Sequence, residues 1–234
     1  MKYAQPLVRA TLVKRYKRFL ADVTLEDGRE VTAHCANPGA MTGLATAGTQ
    51  VWLEPNDDPK RKLRFSWKLA EIGGALIGID TAMPNKLVGE ALTARAVPEL
   101  AAYGSVRPEV KYGENSRIDF LLAQEGLPDC YVEVKSANLS RKAGLCEFPD
   151  TVTKRGSKHL NELASMVSSG HRAVMLYLVQ RTDSTVFALA DDIDPTYAEN
   201  FKAARAAGVE ALCYRADLTI EGARFGKPLP IVAR

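Results

Sequence analysis

Three charged residues, Asp119, Glu133 and Lys135, have the types and the spacing of a site that handles phosphate through a metal ion. Glu133 and Lys135 lie two positions apart in an apolar run that predicts a strand, so both side chains project from one face. Asp119 begins the preceding predicted strand and meets Glu133 if the two strands pair around the intervening turn. Two carboxylates brought this close repel each other unless a cation lies between them.

Mg²⁺, or Mn²⁺ in its place, suits Asp119 and Glu133 as metal ligands. It takes oxygen ligands, keeps several waters and commonly uses one or two carboxylates. A metal there would polarise a phosphodiester and activate water, and Lys135 would stabilise charge on phosphate oxygens. Glu90, in a predicted upstream helix, is a candidate third catalytic carboxylate, with an exposed helix position as the equal alternative. A surface salt bridge between Glu133 and Lys135 is the competing interpretation of the motif.

A helix predicted over residues 151–168 presents Arg155 and His159 four positions apart, on one face. Beside a metal site, these side chains would hold a nucleic-acid phosphate or relay a proton. A surface arginine and a helix-packing histidine are the alternative. Asp150 is the expected N-cap of this helix.

Two basic clusters in the first third of the chain predict a nucleic-acid surface. Residues 1–82 contain 12 Lys and Arg against 9 Asp and Glu, whereas residues 83–234 contain 19 of each, so the net charge of +3 lies in the first part. Cations neutralise phosphates and aromatic rings stack on unpaired bases, whereas solvated turns are the alternative. The candidate contacts are Lys14, Arg15, Tyr16, Lys17 and Arg18, then Lys60, Arg61, Lys62 and Arg64, with Phe19 and Trp67 close in sequence. The partner we expect is DNA, double- or single-stranded and without base preference, and RNA is the alternative.

Residues 1–82 predict a five-stranded OB-type β-barrel, because five or six short strand runs alternate with Gly- and Pro-rich loops and no helix intervenes. Asp27-Gly28 between two of these runs predicts a hairpin. From Met83 onwards the apolar residues recur at helical spacing, with Asn85 as the expected N-cap. Residues 83–234 therefore predict a mixed α/β domain, in which the apolar strand at 173–179 is covered on both faces.

Four cysteines without a CxxC pair, and only three histidines, argue against structural zinc and favour ordinary buried thiols. No apolar run reaches the roughly 18 residues of a membrane span, and the first residues lack a signal-peptide pattern. We therefore expect a cytoplasmic protein with no membrane partner. The oligomeric state is left open.

Several sequence blocks, in the same order, resemble the bacterial sugar fermentation stimulation protein family. They are RYKRFLADV (15–23), AHCANPGAMTG (33–43), VKYG (110–113), SRIDF (116–120), YVEVKS (131–136), FPD (148–150) and KHL (158–160). The resemblance implies an OB-fold followed by a restriction-endonuclease-like domain of the PD-(D/E)xK type with a central mixed sheet. Asp119, Glu133 and Lys135 hold the motif positions there, and Glu90 fits the upstream helix acid. The chain departs from the pattern at Ile118, which stands where the signature has proline, and at Ala36.

The same resemblance implies non-specific DNA binding and a regulatory part in sugar, especially maltose, metabolism. Two functions therefore remain open: a DNA-binding, Mg²⁺-dependent deoxyribonuclease, or a non-enzymatic DNA-binding regulator on a nuclease-derived scaffold. The presence of all three site residues favours the first, because a mere binding module gains nothing from clustered acids that repel phosphate.

Overall fold

The computed structural model describes residues 1–113 and 116–233. Its first five strands are β1 (Val8–Tyr16), β2 (Leu20–Leu25), β3 (Glu30–Cys35), β4 (Gln50–Pro55) and β5 (Phe65–Ile72). β1 pairs with both β2 and β4, β5 pairs with β4, and a parallel contact between β3 and β5 closes the barrel. This is the connectivity of an OB-fold, so the predicted five-stranded barrel is confirmed.

The barrel interior is filled by alternate side chains of its strands, as a small closed barrel requires. Leu12, Val23, Leu53 and Trp67 are all at most 1% exposed. Trp67 therefore offers no face to a nucleic-acid base, in contrast to the sequence-based grouping of aromatic residues. The β2–β3 hairpin turns at Gly28, whose φ of 85° is in the region that glycine adopts without strain. The predicted hairpin is thus confirmed.

The remaining elements form an α/β unit. In chain order they are β6 (Ala75–Gly78), which extends the barrel sheet, α1 (Met83–Thr93), a short 3₁₀ turn (Pro98–Leu100), β7 (Ser105–Tyr112), β8 (Ser116–Ala123), β9 (Cys130–Ala137), β10 (Leu139–Lys142), β11 (Leu145–Phe148), α2 (Lys154–Ser168), β12 (Arg172–Val179), β13 (Val186–Leu189), α3 (Pro195–Ala206), β14 (Glu210–Leu218) and β15 (Ala223–Pro228).

A six-stranded mixed sheet, in the order β15-β14-β12-β9-β8-β7, is the centre of this unit. β12 runs parallel to both β9 and β14, and the outer pairs are antiparallel. α1 packs on one face and α2 with α3 on the other, so the sheet separates two apolar cores. Every β12 residue after Arg172 is buried, as predicted for a strand covered on both faces. The mixed α/β class is confirmed.

Two helix starts differ from their predicted positions. α2 begins at Lys154 and its N-cap is Thr153, whose side chain accepts a hydrogen bond from the Gly156 backbone N–H. Asp150 is therefore not the cap; its carboxylate instead accepts from the backbone N–H of Met41 in the barrel. Similarly, α1 begins at Met83, so Asn85 lies inside its first turn and is not the N-cap.

The sequence analysis did not predict the short strands β10, β11 and β15, nor the longer strand β7. Most of its side chains are exposed and it contains Pro108, so it lacks both apolar alternation and a full set of N–H donors. It forms at the sheet edge, where a proline is tolerated. All four cysteines are free and buried, as predicted. No helix in the described part of the chain is long and apolar enough to cross a membrane.

Candidate functional site

Asp119 and Glu133 lie where neighbouring strands β8 and β9 stop pairing. The last paired residues are Phe120 and Val132, so the next position along places Asp119 opposite Glu133. Beyond this point the Asp119 side chain takes the place of a backbone acceptor, because its Oδ2 accepts from the Val134 backbone N–H at 2.7 Å. The Asp119 carboxylate therefore supplies a hydrogen-bond acceptor where the backbone pairing of β8 with β9 has ended.

Strand β8 also twists at Asp119. Phe120 packs in the core under α1, whereas Ile118, two residues earlier, packs in the core under α2. Strict alternation would put both on one face. On the neighbouring strand β7, Glu109 has a φ of 54°, so the irregularity extends across the hairpin. This twist places Asp119 within reach of both faces of the sheet.

Asp119 is held from two directions. Its Oδ1 accepts from the Asn85 side-chain amide of α1 at 2.6 Å, and its Oδ2 from Val134. Burial, together with the nearby charge of Glu133, raises the pKa of Asp119 to about 6 despite these hydrogen bonds. Two acids therefore compete for ionisation here, and a cation between them would remove that competition.

Glu133 is nearly inaccessible, with a side chain 4% exposed. Its Oε1 accepts hydrogen bonds from Lys135 Nζ at 2.7 Å and from His159 Nδ1. Burial acts to raise the pKa of Glu133, but the His159 hydrogen bond and the charge of Lys135 outweigh it and hold that pKa below its ordinary value. The second oxygen, Oε2, is buried with no hydrogen-bond partner. Leaving such an acceptor unpaired costs about 1–3 kcal/mol or more, so a hard cation fits this position.

His159 orients Glu133. Arg155 Nε donates to His159 Nε2 at 3.3 Å, which assigns the ring proton to Nδ1 and makes Nδ1 the donor to Glu133. The 3.2 Å contact between Lys135 Nζ and the same Nδ1 then joins two donors, so the Lys135 hydrogen bond goes to Glu133. His159 is 4% exposed, which corrects the sequence-based assignment of a phosphate contact. Arg155 is exposed beside it and keeps that predicted role.

The structure does not bring Glu90 to this site. Its side chain is 58% exposed and its Oε2 pairs with the amino group of Met1 at 3.0 Å. The inward face of α1 is apolar, and the side chain that it contributes to Asp119 is that of Asn85. Across the described residues, no three His, Cys, Asp or Glu side chains form a metal-binding group. Two carboxylates remain, a ligand set that Mg²⁺ completes with water and phosphate.

Lys135 opens onto a cleft of about 340 Å³ between the barrel and the α/β unit. The barrel contributes the loop Asn37-Pro38-Gly39, and the α/β unit contributes Ser136, Phe148 and Asp150. The two walls meet at Gly39, where a Cβ atom would lie 2.6 Å from Asp150 Oδ2. A side chain at this position would displace the Asp150 carboxylate from its hydrogen bond with the Met41 N–H, so glycine suits the close approach.

Several residues of the first basic cluster have structural partners. Lys14 pairs with Asp22 at 3.5 Å and lies over the Tyr16 ring, and the Tyr16 hydroxyl also donates to Asp22. Arg15 donates to the backbone oxygens of Asn37 and Gly39 at 2.7 and 3.1 Å. Lys17 and Arg18 are exposed on the β1–β2 turn, so a phosphate can reach both.

The second basic cluster lies in the loop before β5, and the side chains of Lys60, Arg61, Lys62 and Arg64 are exposed. The register relates the two clusters: Leu20 pairs with His34, and His34 pairs with Ser66. β5 continues from Ser66 parallel to β3, and Phe65 lies in a pocket with Leu25 and Arg29 at the β2–β3 hairpin, so the two basic turns lie towards opposite ends of β2 and β3.

Sequence reasoning missed two contributors to the site. Asn85 was interpreted as a helix cap because asparagine commonly has that role, and only the crossing of α1 over β8 reveals its contact with Asp119. The segment Asn37-Pro38-Gly39 is one of the Gly- and Pro-rich loops between the predicted barrel strands, but nothing in its local pattern shows that it lines the cleft with Lys135. Both contacts join residues far apart in the chain.

Comparison with known proteins gives consistent matches over the whole chain. The family model described as "Sugar fermentation stimulation protein RE domain" matches residues 82–222, and "SfsA N-terminal OB domain" matches residues 13–79. Proteins named "Sugar fermentation stimulation protein homolog" are 60% identical in Roseobacter denitrificans, covering 99% of both chains, and 62% identical in Dinoroseobacter shibae, covering 99% of this chain and 96% of that one.

A solved structure supports the same relationship. "The structure of Pyrococcus Furiosus SfsA in complex with Ca2+" is 26% identical, with a TM-score of 0.89 over 100% of this chain and 98% of the other. The resemblance in the sequence blocks is therefore confirmed, and the chain belongs to the sugar fermentation stimulation protein family.

Proposed function

We propose that this protein binds DNA without base preference and hydrolyses phosphodiester bonds at a divalent cation held by Asp119 and Glu133. The observation that carries the proposal is the buried Glu133 Oε2, which has no hydrogen-bond partner although its neighbour Oε1 has two. Since an orphaned, ionised oxygen in the protein interior is costly, a ligand of positive charge accounts for it. The cytoplasmic location inferred from the sequence is part of the same proposal.

The protein's own residues have distinct tasks in this site. Asn85 and the Val134 N–H orient Asp119, and His159 orients Glu133, so both acids are preset before a cation arrives. When bound, Mg²⁺ or Mn²⁺ supplies Lewis-acid polarisation of the phosphodiester. Lys135 is 13% exposed at the cleft and stabilises negative charge that develops on phosphate oxygens. The exposed Arg155 holds a neighbouring phosphate.

The solved structure from Pyrococcus furiosus supports a divalent cation site in this protein. That structure is a complex with Ca²⁺, and its fold covers the whole of this chain. Ca²⁺ and Mg²⁺ both take oxygen ligands, so a site that accepts one is chemically suited to the other, with Mg²⁺ demanding stricter geometry. We therefore expect Ca²⁺ to bind this chain at the same acids.

A non-enzymatic regulator of sugar, especially maltose, metabolism is the second candidate. Three of the four carboxylate oxygens of the two acids already accept hydrogen bonds within the protein, which favours a structural role for these acids. The three are Asp119 Oδ1, Asp119 Oδ2 and Glu133 Oε1. On this view the acids stabilise the strand ends, and the basic turns of the barrel alone contact DNA. Both candidates share the DNA-binding barrel and differ only in turnover.

One experiment separates the two candidates. Purified protein is incubated with supercoiled plasmid, single-stranded DNA or RNA, in the presence of Mg²⁺, Mn²⁺ or EDTA. We expect metal-dependent cutting that is lost in Glu133→Gln, which removes the charge but keeps the shape of the side chain. Glu90→Gln is the matched control, since it changes an exposed acid outside the site. DNA binding without cutting in every condition would establish the regulator.

A further inference from the structure

An aromatic pair is exposed on the barrel beside the basic β1–β2 turn. Phe19 is 47% exposed and is the only phenylalanine among the large, exposed apolar side chains of the described residues. Its ring is nearly parallel to that of the exposed His34, with an interplanar angle of 14° and centroids 6.5 Å apart. Such faces on a soluble protein are suited to stacking with a planar ligand.

Two cations flank this aromatic pair. Lys17 and Arg18 directly precede Phe19, and both have a positive φ, 48° and 62°. This left-handed conformation is uncommon for residues other than glycine, and it gives the turn a sharply defined shape with both cationic side chains exposed. The backbone of Phe19 is anchored as well, because its carbonyl accepts from the Cys35 N–H at 2.9 Å.

Arg15 connects the turn beside the aromatic pair to the cleft that Lys135 lines. Its Nε donates to the Arg18 carbonyl at 3.2 Å, while its Nη2 donates to the carbonyls of Asn37 and Gly39. Asn37 and Gly39 line the cleft that Lys135 faces. One guanidinium therefore holds the basic turn and the wall of the cleft in a fixed relation, so a chain bound at the turn lies at the entrance to the cleft.

We propose that Phe19 and His34 form a stacking site for an unpaired nucleic-acid base, with Lys17 and Arg18 on the adjacent phosphates. The strand then continues over the loop at Asn37 towards Lys135. Bases in a duplex stack on one another and hide their faces, so this site selects single strands or the single-stranded tail of a duplex. The stacking site rests on the nucleic-acid binding of the proposed function and does not depend on the proposed cleavage, on which only the strand's onward path rests.

The test measures binding without turnover. Fluorescence anisotropy of the full-length protein in EDTA uses a labelled thymidine oligonucleotide of about 16 nucleotides, the upper site size of an OB-fold, and a duplex of equal length. Phe19→Ala is expected to weaken oligonucleotide binding by about 5- to 150-fold, the loss that corresponds to one stacked base, and to leave duplex binding unchanged. A uridine oligonucleotide should show the same loss, because stacking does not depend on the sugar.

Three further variants make the result specific. Val13→Ala removes another exposed apolar side chain of the barrel, 42% exposed, and is expected to bind like the parent protein. Phe19→Tyr should retain oligonucleotide binding and Phe19→Leu should lose it, since only the former keeps an aromatic face. Equal losses on oligonucleotide and duplex, or no loss with Phe19→Ala, would overturn the stacking site. Because no metal is present, absence of nuclease activity leaves this result intact.

Discussion

The barrel and the α/β unit place their charges in opposite environments. Lys17, Arg18 and the loop cations of the barrel are exposed to solvent, whereas Glu133 is buried and forms a salt bridge with the partly buried Lys135. Exposed cations attract any phosphate chain and are screened by salt. Buried polar groups are held in one geometry by their hydrogen bonds, so the removal of one partner changes the arrangement of the others. The two regions therefore suit two different tasks, retention of a polyanion and chemistry on one of its bonds.

Among substitutions outside the two acids, the largest effect should come from Lys135→Ala. If Lys135 stabilises developing charge on phosphate, its removal lowers the rate of metal-dependent cutting by on the order of 10²–10³-fold. DNA retention should change little, because Lys135 is 13% exposed and the accessible cations lie on the barrel. Plasmid-nicking rates and gel-shift affinities measured on the same preparation test this division. Parallel losses of cutting and binding would contradict it.

Addition of Ca²⁺ should stabilise the α/β unit. At a concentration about 100-fold above its dissociation constant, a ligand that binds only the folded state adds roughly 2.7 kcal/mol to the free energy of unfolding. For a chain of this size that corresponds to an increase of about 5–10 °C in melting temperature. Glu133→Gln should abolish the increase and Glu90→Gln should retain it. An increase that survives in Glu133→Gln would place the cation elsewhere.

His159→Gln should weaken metal binding by about 10- to 100-fold, the usual cost of losing a group that orients a ligand. The readout is the Mn²⁺ concentration for half-maximal cutting, or the Ca²⁺ dissociation constant measured by calorimetry. Turnover at saturating metal should largely recover, because the buried His159 does not reach the substrate in this arrangement. A lower turnover with unchanged metal affinity would give His159 a direct part in the reaction.

The smallest effect is expected on the barrel side. Changing Lys17 and Arg18 together to alanine should reduce the slope of log affinity against log salt on duplex DNA by about 2, one for each lost phosphate contact. Cutting of DNA at saturating concentration should be unaffected. Lys202→Ala is the control, since Lys202 is exposed on α3 in the other unit. An unchanged slope in the double variant would move the binding surface away from this turn.

The sequence predicted the parts of the molecule that depend on local pattern. Alternating apolar residues and the Asp27-Gly28 turn identified the barrel strands, and the apolar run of β12 identified a central strand. β7 was not predicted because most of its residues are exposed and show no apolar alternation. Its extended conformation depends on its pairing with β8. For the site, two-residue spacing was enough to place Glu133 and Lys135 on one face of β9.

Local pattern could not distinguish which distant groups complete the site. Glu90 and Asn85 lie in the same helix, and only the packing of α1 against β8 decides that the amide meets Asp119 while the acid faces solvent. Likewise, an exposed and a buried histidine are identical in sequence, and the docking of α2 on β9 turns His159 towards Glu133.

The sequence by itself determined the barrel strands, the two strands that carry the site, the excess of basic residues in the first 82 positions and the identity of the paired acids and lysine. Only the tertiary structure decided that Glu133 Oε1 accepts hydrogen bonds while Oε2 has no partner. It also decided that Arg15 connects the basic β1–β2 turn to the cleft and that the Phe19 ring lies beside His34. The side-chain periodicity of a strand or helix is a property of residues that are close in the sequence. The burial and hydrogen-bond partners of a side chain depend instead on residues from distant parts of the chain that pack against it.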